Sequence, residues 1–488
     1  MKECDAATIS THHIPSLVLM ERAALSVSIA AMSHFPDAKN ICAICGPGNN
    51  GGDGVAISRL LHLKGRKVTC VVLGDMAKYS TQLQEEIDIA QSYGLEITDN
   101  LPTSLESYDL IIDAMFGIGL TRGLSSDYAV AASLMNASHS PIISVDIPSG
   151  FDTDTGKCLG DIGVLADLTV TFAYMKKGLV LGDCKSHTGQ VHVADVGIYL
   201  DHQEDTYAYI IDDSIFSKIN QRPVDANKGT CGRILIVAGS ENIYGACYLS
   251  AKAALVAGSG LVKVYTHKNN IGIMQKNLPE AMYTMYEDYN ETSLLADMKW
   301  ADVILIGPGL DQNITSQNIV NTILENSDCP VIIDADGINM VAKEKSQLKE
   351  LCKKCPVTMT PHLKEMERLT DTPVSTIKYD IENIAKTFAQ EYNCTIILKD
   401  ATTVIASPKS VYYVISGNEG LATPGSGDVL AGIVASLTGQ QLNSDISAAP
   451  LAAAHMHGKA GSLASEKLGT KGVLASDIID AIPQITRS

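Results

Sequence analysis

The sequence predicts an α/β protein of two domains, each built on a largely parallel sheet. Three observations carry this. Short apolar runs alternate with helical patterns along almost the whole chain, the rhythm of doubly wound sheets. The chain has 488 residues, which at roughly 150 residues per domain suggests two to four domains. The rhythm breaks once, between about residues 200 and 227, in an acidic and then proline-containing stretch. The domains are therefore placed at 1–205 and 215–488, with the division near 205–220.

The elements follow in order. The apolar stretch 17–32 is interrupted by Glu21 and Arg22, so it reads as an amphipathic helix and not as an export signal. No run reaches ~18 uninterrupted apolar residues, and no bilayer-spanning segment is expected. Strands are predicted at 41–45, 68–73, 110–113, 142–147 and 168–173, with helices near 52–63, 81–93 and 125–136 between them. After the break, strands are predicted at 234–238, 303–306, 331–334, 357–360, 395–398, 404–406 and 412–415. Two helical patterns, 428–437 and 446–468, close the chain.

Composition bounds the function. Hydrophobic residues make up 45% and charged residues 19%, enough apolar mass for sizeable cores. The net charge of −18 argues against nucleic-acid or membrane-surface partners. A small anionic ligand then has to be held by backbone N–H groups, metal ions or a few local cations. The twelve cysteines show no framework spacing. Cys42 and Cys45 fall in one strand and project to opposite faces. Cys352-Lys-Lys-Cys355 lacks a second half for a zinc site. Structural thiols imply a reducing compartment, hence the cytoplasm.

The first predicted strand runs into Gly46-Pro-Gly48-Asn49-Asn50-Gly51-Gly52-Asp53-Gly54. Gly46, Gly48 and Gly51 satisfy the dinucleotide pattern G-x-G-x-x-G. Electrostatics speaks against that use. A carboxylate at the helix N-terminus, where Asp53 is placed, repels the pyrophosphate it would have to cradle. The side chains of Asn49 and Asn50 instead offer neutral oxygens. Two more strands end on the same edge, one in Asp113 followed by a Gly-rich loop, the other in Asp146-Ile-Pro-Ser149-Gly. Asn50, Asp113 and Ser149 are thus able to converge on one hard monovalent cation, leaving Asp53 and Asp146 for acid/base work. Singly, each residue also reads as a cap or turn former. Three such loops in register at the carboxyl ends of strands favour a site.

The stretches GPGNNGGDGVAISRLLHLKG, DLIIDAMFGIGLTRG, VDIPSGFDTDTG, IPSLVLMERAALSV and ADLTVTFAYMKKG resemble the NAD(P)H-hydrate epimerase family, over about residues 1–200. The resemblance implies a Rossmann-like α/β/α domain that interconverts the R and S forms at C6 of hydrated NADH or NADPH. It implies K+ at Asn50, Asp113 and Ser149. It also implies nucleotide contacts from Asn49, Asn50, Gly51, Gly52 and Asp53, from Gly117, Ile118, Gly119, Leu120, Thr121, Arg122 and Gly123, and from Asp146. Either Asp53 or Asp146 takes the proton.

The strongest local signal lies in the second domain: Gly417-Asn418-Glu419-Gly420-Leu421-Ala422-Thr423-Pro424-Gly425-Ser426-Gly427-Asp428, running into a helix. Successive Gly, Ser and Gly N–H groups at a helix N-terminus form an anion hole. Asp428 beside it opposes charge balance unless it works as a base toward an attacking hydroxyl. The plainer reading is an N-cap. Other pieces are able to reach the same edge: Ala238-Gly239-Ser240, which ends the strand that Asn227-Lys228-Gly229 precedes, Gly307-Pro-Gly309, Asp334-Ala-Asp336, Thr360-Pro-His362 with Glu365 beyond it, and Lys399 with Thr403. For His362, ligand contact and helix capping stand equal.

NKGTCGRILIVAGS, VILIGPGL, DADGIN, TPHLKEMERL, LKDATTVIA and GNEGLATPGSGDVLAGIVASL are similar to the ADP- or ATP-dependent NAD(P)H-hydrate dehydratase family, a ribokinase-like α/β/α fold, over about residues 215–488. The similarity implies ADP (or ATP) contacts from Lys399, Asp400, Ala401, Thr402 and Thr403 and from Asn418 through Gly427. It implies contacts of Gly309, His362 and Asp428 with the hydrated nucleotide. The similarity further implies that the C6 hydroxyl is phosphorylated with Asp428 as base and Mg2+ bridging the phosphates, and that phosphate then leaves. Asp400 departs from the family's usual Lys-Gly-Ala-Gly. Together the halves imply a repair enzyme acting on small molecules, and a homo-oligomer. The rival is a ribokinase-like small-molecule kinase with a nucleotide-sensing N-terminal domain, told apart by whether phosphate stays on a stable product.

Overall fold

The computed structural model describes residues 1–199, 208–241, 243–442 and 444–485. The chain divides into two compact units, residues 1–205 and 206–488. The start of the predicted boundary stretch, residues 200–207, lies outside the described residues.

The first unit holds a seven-stranded sheet in the order β3-β2-β1-β4-β5-β6-β7. Its strands are β1 (Asn40–Cys45), β2 (Lys67–Val72), β3 (Ile97–Thr98), β4 (Leu110–Ala114), β5 (Ile142–Val145), β6 (Leu168–Phe172) and β7 (Gln190–Ala194). Every pairing is parallel. Alternation along β1 fills both faces: Ile41, Ala43 and Cys45 pack with Ala24 and Val27, whereas Cys42 and Ile44 pack with Ala131 and Met135. The thiols of Cys42 and Cys45 therefore lie on opposite sides of the sheet. β3 and β7 escape the sequence reading because edge strands need little apolar patterning. β3 spans two residues, and three of the five residues of β7 are exposed.

The helix Ser16–His34 is, among the described residues, long and apolar enough by length and composition to cross a membrane. The sequence reading expected no such segment, because Glu21 and Arg22 interrupt the run. Here Ala23, Ala24, Val27, Ala30 and Ala31 of this helix are buried in the core of the first unit.

The second unit holds a ten-stranded sheet in the order β11-β10-β9-β12-β13-β14-β15-β16-β17-β8. The strands are β8 (Ala208–Ile210), β9 (Arg233–Val237), β10 (Leu261–His267), β11 (Met282–Tyr286), β12 (Val303–Ile306), β13 (Val331–Ile333), β14 (Val357–Met359), β15 (Thr395–Leu398), β16 (Thr403–Ala406) and β17 (Val411–Val414). β16 runs antiparallel to both its neighbours, and the other pairs are parallel.

Three strands were not expected. β10 carries Lys263 on one face, which breaks the apolar signal; its ammonium reaches Asp297 at 2.7 Å and sits over the Trp300 ring. β11 is a half-exposed edge. β8 pairs with β17, about two hundred residues away in sequence. The second unit therefore begins before the predicted residue 215, because a short strand recruited by a distant partner leaves no local period. The helix Ser426–Gln440 is buried along most of its length and packs closely on the helix Gly245–Val256. A Cβ at Gly432 would stand 2.2 Å from the Ser250 carbonyl oxygen. Cys352 and Cys355 are buried at the end of the helix Lys345–Lys354.

Candidate functional site

In the first unit, β1, β4 and β5 are neighbours and run parallel, so their carboxyl ends share one edge. The strand order reverses between β1 and β4, the place where open α/β sheets bind ligands. A cavity of about 640 Å3 opens there. Asn49, Asn50, Asp53, Gly117, Ile118, Gly119, Leu120 and Asp146 line it. Gly51 and Gly52, both buried, and Thr121, Arg122 and Gly123 fall outside its lining.

The loop differs from the sequence reading in one respect. The helix starts at Asn49, not near Gly52, so Asp53 sits one turn inside it and not at its N-terminus. The reason is steric. A Cβ at Gly46 would stand 1.9 Å from the Met115 carbonyl oxygen, and one at Gly51 would stand 1.8 Å from the Gly46 carbonyl oxygen. These glycines let backbone cross backbone, and the helix begins as soon as the crossing is made.

Asp113 and Ser149 come together. The Asp113 carboxylate accepts from Ser149 Oγ at 2.7 Å, Ser149 N at 2.9 Å and Ser144 Oγ at 2.8 Å. Burial pushes Asp113 up, against these hydrogen bonds. Asn50 faces Gly117, where a Cβ would meet Asn50 Oδ1 at 3.0 Å. Among the described residues its Nδ2 is buried without a hydrogen-bond partner.

Asp146 has φ of 71°, a left-handed conformation that costs a non-glycine residue of order 1–3 kcal/mol. Its carboxylate is ion-paired with Lys176 Nζ at 2.6 Å and accepts from Thr171 Oγ1 and Ile118 N, both at 3.3 Å. Lys176 is buried and lines the cavity. The sequence reading did not single it out; the pair Lys176-Lys177 just past a strand end on the site edge was the available signal. Asp53 is pushed well up, first by burial and then by Asp146, Glu86 and Asp5.

In the second unit β9, β12, β13, β14 and β15 run parallel, and their carboxyl ends carry Gly239, Gly307 to Gly309, Asp334, Thr360 and Lys399. Asp334 is buried and accepts from Thr360 Oγ1 at 2.6 Å. Lys399 Nζ approaches the same Asp334 oxygen. Lys399 through Thr402 form the turn between β15 and β16. Thr402 is buried, whereas Asp400 and Ala401 are exposed. Gly309 takes φ of 60°, and the loops after β9 and β12 are joined by Ser240 N donating to the Gly309 carbonyl at 2.8 Å.

The helix that follows the Gly-rich loop is capped by Gly425, so Asp428, its third residue, is not the N-cap. Among the described residues no hydrogen bond engages the Asp428 carboxylate. It is pushed up to about 7, first by burial and then by Asp334, with Asp336 and Glu365 adding to this and Lys399 opposing it. Ser426 Oγ lies 3.0 Å from Nε2 of His457. Burial pushes that imidazole down to about 4, so it is neutral. His457 lies on the helix Ala448–Leu468 and was invisible as a partner from sequence. Asn418 Oδ1 accepts from Gly420 N at 3.0 Å and Ser465 Oγ at 2.9 Å, which fixes the start of the loop.

His362 is a cap. Its Nδ1 accepts from Lys364 N and Glu365 N, and Glu365 returns the bond to His362 N at 2.9 Å. Its Nε2 is left for other contacts, 3.4 Å from Glu365 Oε1.

A family model described as NAD(P)H-hydrate dehydratase matches residues 234–484, and one described as YjeF-related protein N-terminus matches residues 16–178. A bifunctional NAD(P)H-hydrate repair enzyme of Moorella thermoacetica is 35% identical over 100% of this chain and 96% of its own length. The protein of the same description from Escherichia coli is 34% identical over 96% of this chain and 89% of its own. Among solved structures, a ribokinase-like superfamily protein from Enterococcus faecalis is 30% identical, with a TM-score of 0.51, over 59% of this chain and 98% of that one. The chain belongs to the bifunctional NAD(P)H-hydrate repair enzyme family.

Proposed function

We propose that the chain restores hydrated NADH and NADPH, its first unit exchanging the two epimers at C6 and its second dehydrating one of them at the expense of ADP or ATP. One observation carries the second reaction. Asp428 is held in the first turn of a helix, beside the backbone of Gly425 to Gly427, where Ser426 N donates to the Thr423 carbonyl at 3.3 Å; among the described residues no hydrogen bond engages its carboxylate, which burial poises near neutral pH. A base with a pKa near the working pH is what removal of a hydroxyl proton needs. The amides of Gly425 and Gly427, with Lys399 beside them, would face the phosphoryl oxygens of a bound nucleotide. The phosphorylated hydroxyl is then a competent leaving group, and its departure restores the dihydropyridine. At this edge the buried carboxylate of Asp334 would help hold Mg2+, which would supply charge neutralisation for the phosphates.

The first unit fits K+ at Asn50, Asp113 and Ser149. Asp113 is a buried carboxylate without a cation partner among the described residues. The orphaned end of the Asn50 amide becomes an oxygen when the group is turned over, since its two ends occupy the same space. Oxygen-rich, mostly neutral donors suit a hard monovalent ion.

The test incubates the purified chain with hydrated NADH, Mg2+ and ADP or ATP while following absorbance of the reduced nicotinamide. Recovery of that band with release of inorganic phosphate is expected. Phosphate retained on a stable product would instead establish the kinase reading.

A further inference from the structure

Resting on that reading of the first unit, we infer that Lys176 is a positioning residue for epimer exchange: it holds Asp146 as the proton acceptor for the C6 hydroxyl. The geometry is specific. Lys176 leaves the chain four residues after β6 and folds back, so that its ammonium touches Asp146 Oδ1 at 2.6 Å, Thr171 Oγ1 at 2.8 Å and the Phe172 carbonyl at 2.9 Å. Three acceptors surround its three N–H donors in a site where its side chain is 3% exposed. Asp146 sits in a strained left-handed backbone conformation, and the Lys176 pair, Thr171 and the Ile118 amide fix its carboxylate there. Strain kept by a surrounding network marks a group held for use.

The pair also constrains the chemistry. An Asp146–Lys176 couple carries no net charge, and burial keeps Asp53 toward its neutral form. Such a wall gives little support to a cationic iminium. It suits a path without net charge on the ring. Asp146 takes the hydroxyl proton, the C6–N1 bond breaks with its electron pair going to N1, and N1 takes the proton of Asp53. C6 becomes an aldehyde. Rotation about C5–C6 presents its other face, and the same protons return as the ring closes. The hydroxyl oxygen is kept throughout.

The experiment uses the full chain and hydrated NADH labelled with 18O at C6, with epimer exchange followed by NMR and the label by mass spectrometry. K176M is expected to lower kcat for exchange by ~100-fold while KM moves by less than about threefold, the signature of a displaced reacting group. K176R is expected to recover to within about tenfold of the native rate, and 18O to stay on the inverted epimer. Dehydration by the second unit, unchanged in both variants, reports that the chain is intact. Exchange at the native rate in K176M, or a K176R variant as slow as K176M, overturns the role of Lys176. Loss of 18O in step with inversion overturns the ring-opening path. A native chain that does not exchange epimers refutes the reading of the first unit itself.

Discussion

Lys399 Nζ lies 3.2 Å from Asp334 Oδ1, although the two residues end strands separated by β14 and stand 65 positions apart. The ammonium also comes within 3.2 Å of where a Cβ would stand on Gly427. Burial alone would push Lys399 down; Asp334, Glu365 and Asp428 outweigh it and push it up, so it stays charged. The similarity to the dehydratase family placed Lys399 among the ADP contacts. Its head group lies beside Gly427 of the Gly-rich loop.

Replacing that charge tests its use. K399M is expected to lower kcat for nucleotide-dependent dehydration by ~100–1,000-fold, the scale of losing one preorganised electrostatic group. Epimer exchange by the same chain stays at the native rate. Steady-state kinetics of both reactions on one preparation separates the two.

Asp428 gives a pH signature. With its carboxyl pushed up to about 7, dehydration is expected to fall about tenfold per pH unit below 7, as the base becomes protonated. D428N abolishes dehydration at every pH. Stability moves the other way. The folded-state pKa lies above the unfolded value of 3.8, so this group's contribution is full below about pH 4 and is lost as pH rises through about 7. D428N is therefore expected to melt higher than the native chain at pH 8, by about 1–2 kcal/mol, and to match it near pH 4. Thermal unfolding at the two pH values decides.

The G-x-G-x-x-G glycines separate into two kinds. G46A and G51A drive a Cβ into backbone at less than 2 Å. Each is expected to destabilise the first unit by at least ~3 kcal/mol. G48A meets nothing within 4 Å among the described residues and sits at φ of −98°, so its stability stays within about 0.5 kcal/mol of native. Denaturant titration of the three variants reads this directly.

Cation dependence tests the Asp113 site. Replacing K+ by a bulky organic cation is expected to slow epimer exchange and leave dehydration untouched. D113N, which keeps shape and removes charge, is expected to make exchange insensitive to K+. A native chain equally active in both salts would remove the cation from the first unit.

The loops that carry the chemistry were legible because their signals are local. Asn-Asn-Gly-Gly-Asp, Asp-Ile-Pro-Ser-Gly and Thr-Pro-Gly-Ser-Gly-Asp each place small and polar residues where an apolar run stops, and the parallel sheets put those stops on one edge. β10 and β11 were not legible, because Lys263 and an exposed edge erase the apolar period. β8 was not, because its partner lies in β17.

The sequence by itself determined the two α/β units, the strand edges that carry the candidate sites and the carboxylates available there. It did not determine how each carboxylate is held. Lys176 reaches Asp146 across 30 residues, Lys399 reaches Asp334 across 65, and His457 backs Ser426 across 31. Such pairings follow from which strands become neighbours and how deeply their ends are buried. Burial and facing charge set whether an acid holds or gives up its proton, and neither quantity exists until the chain has folded.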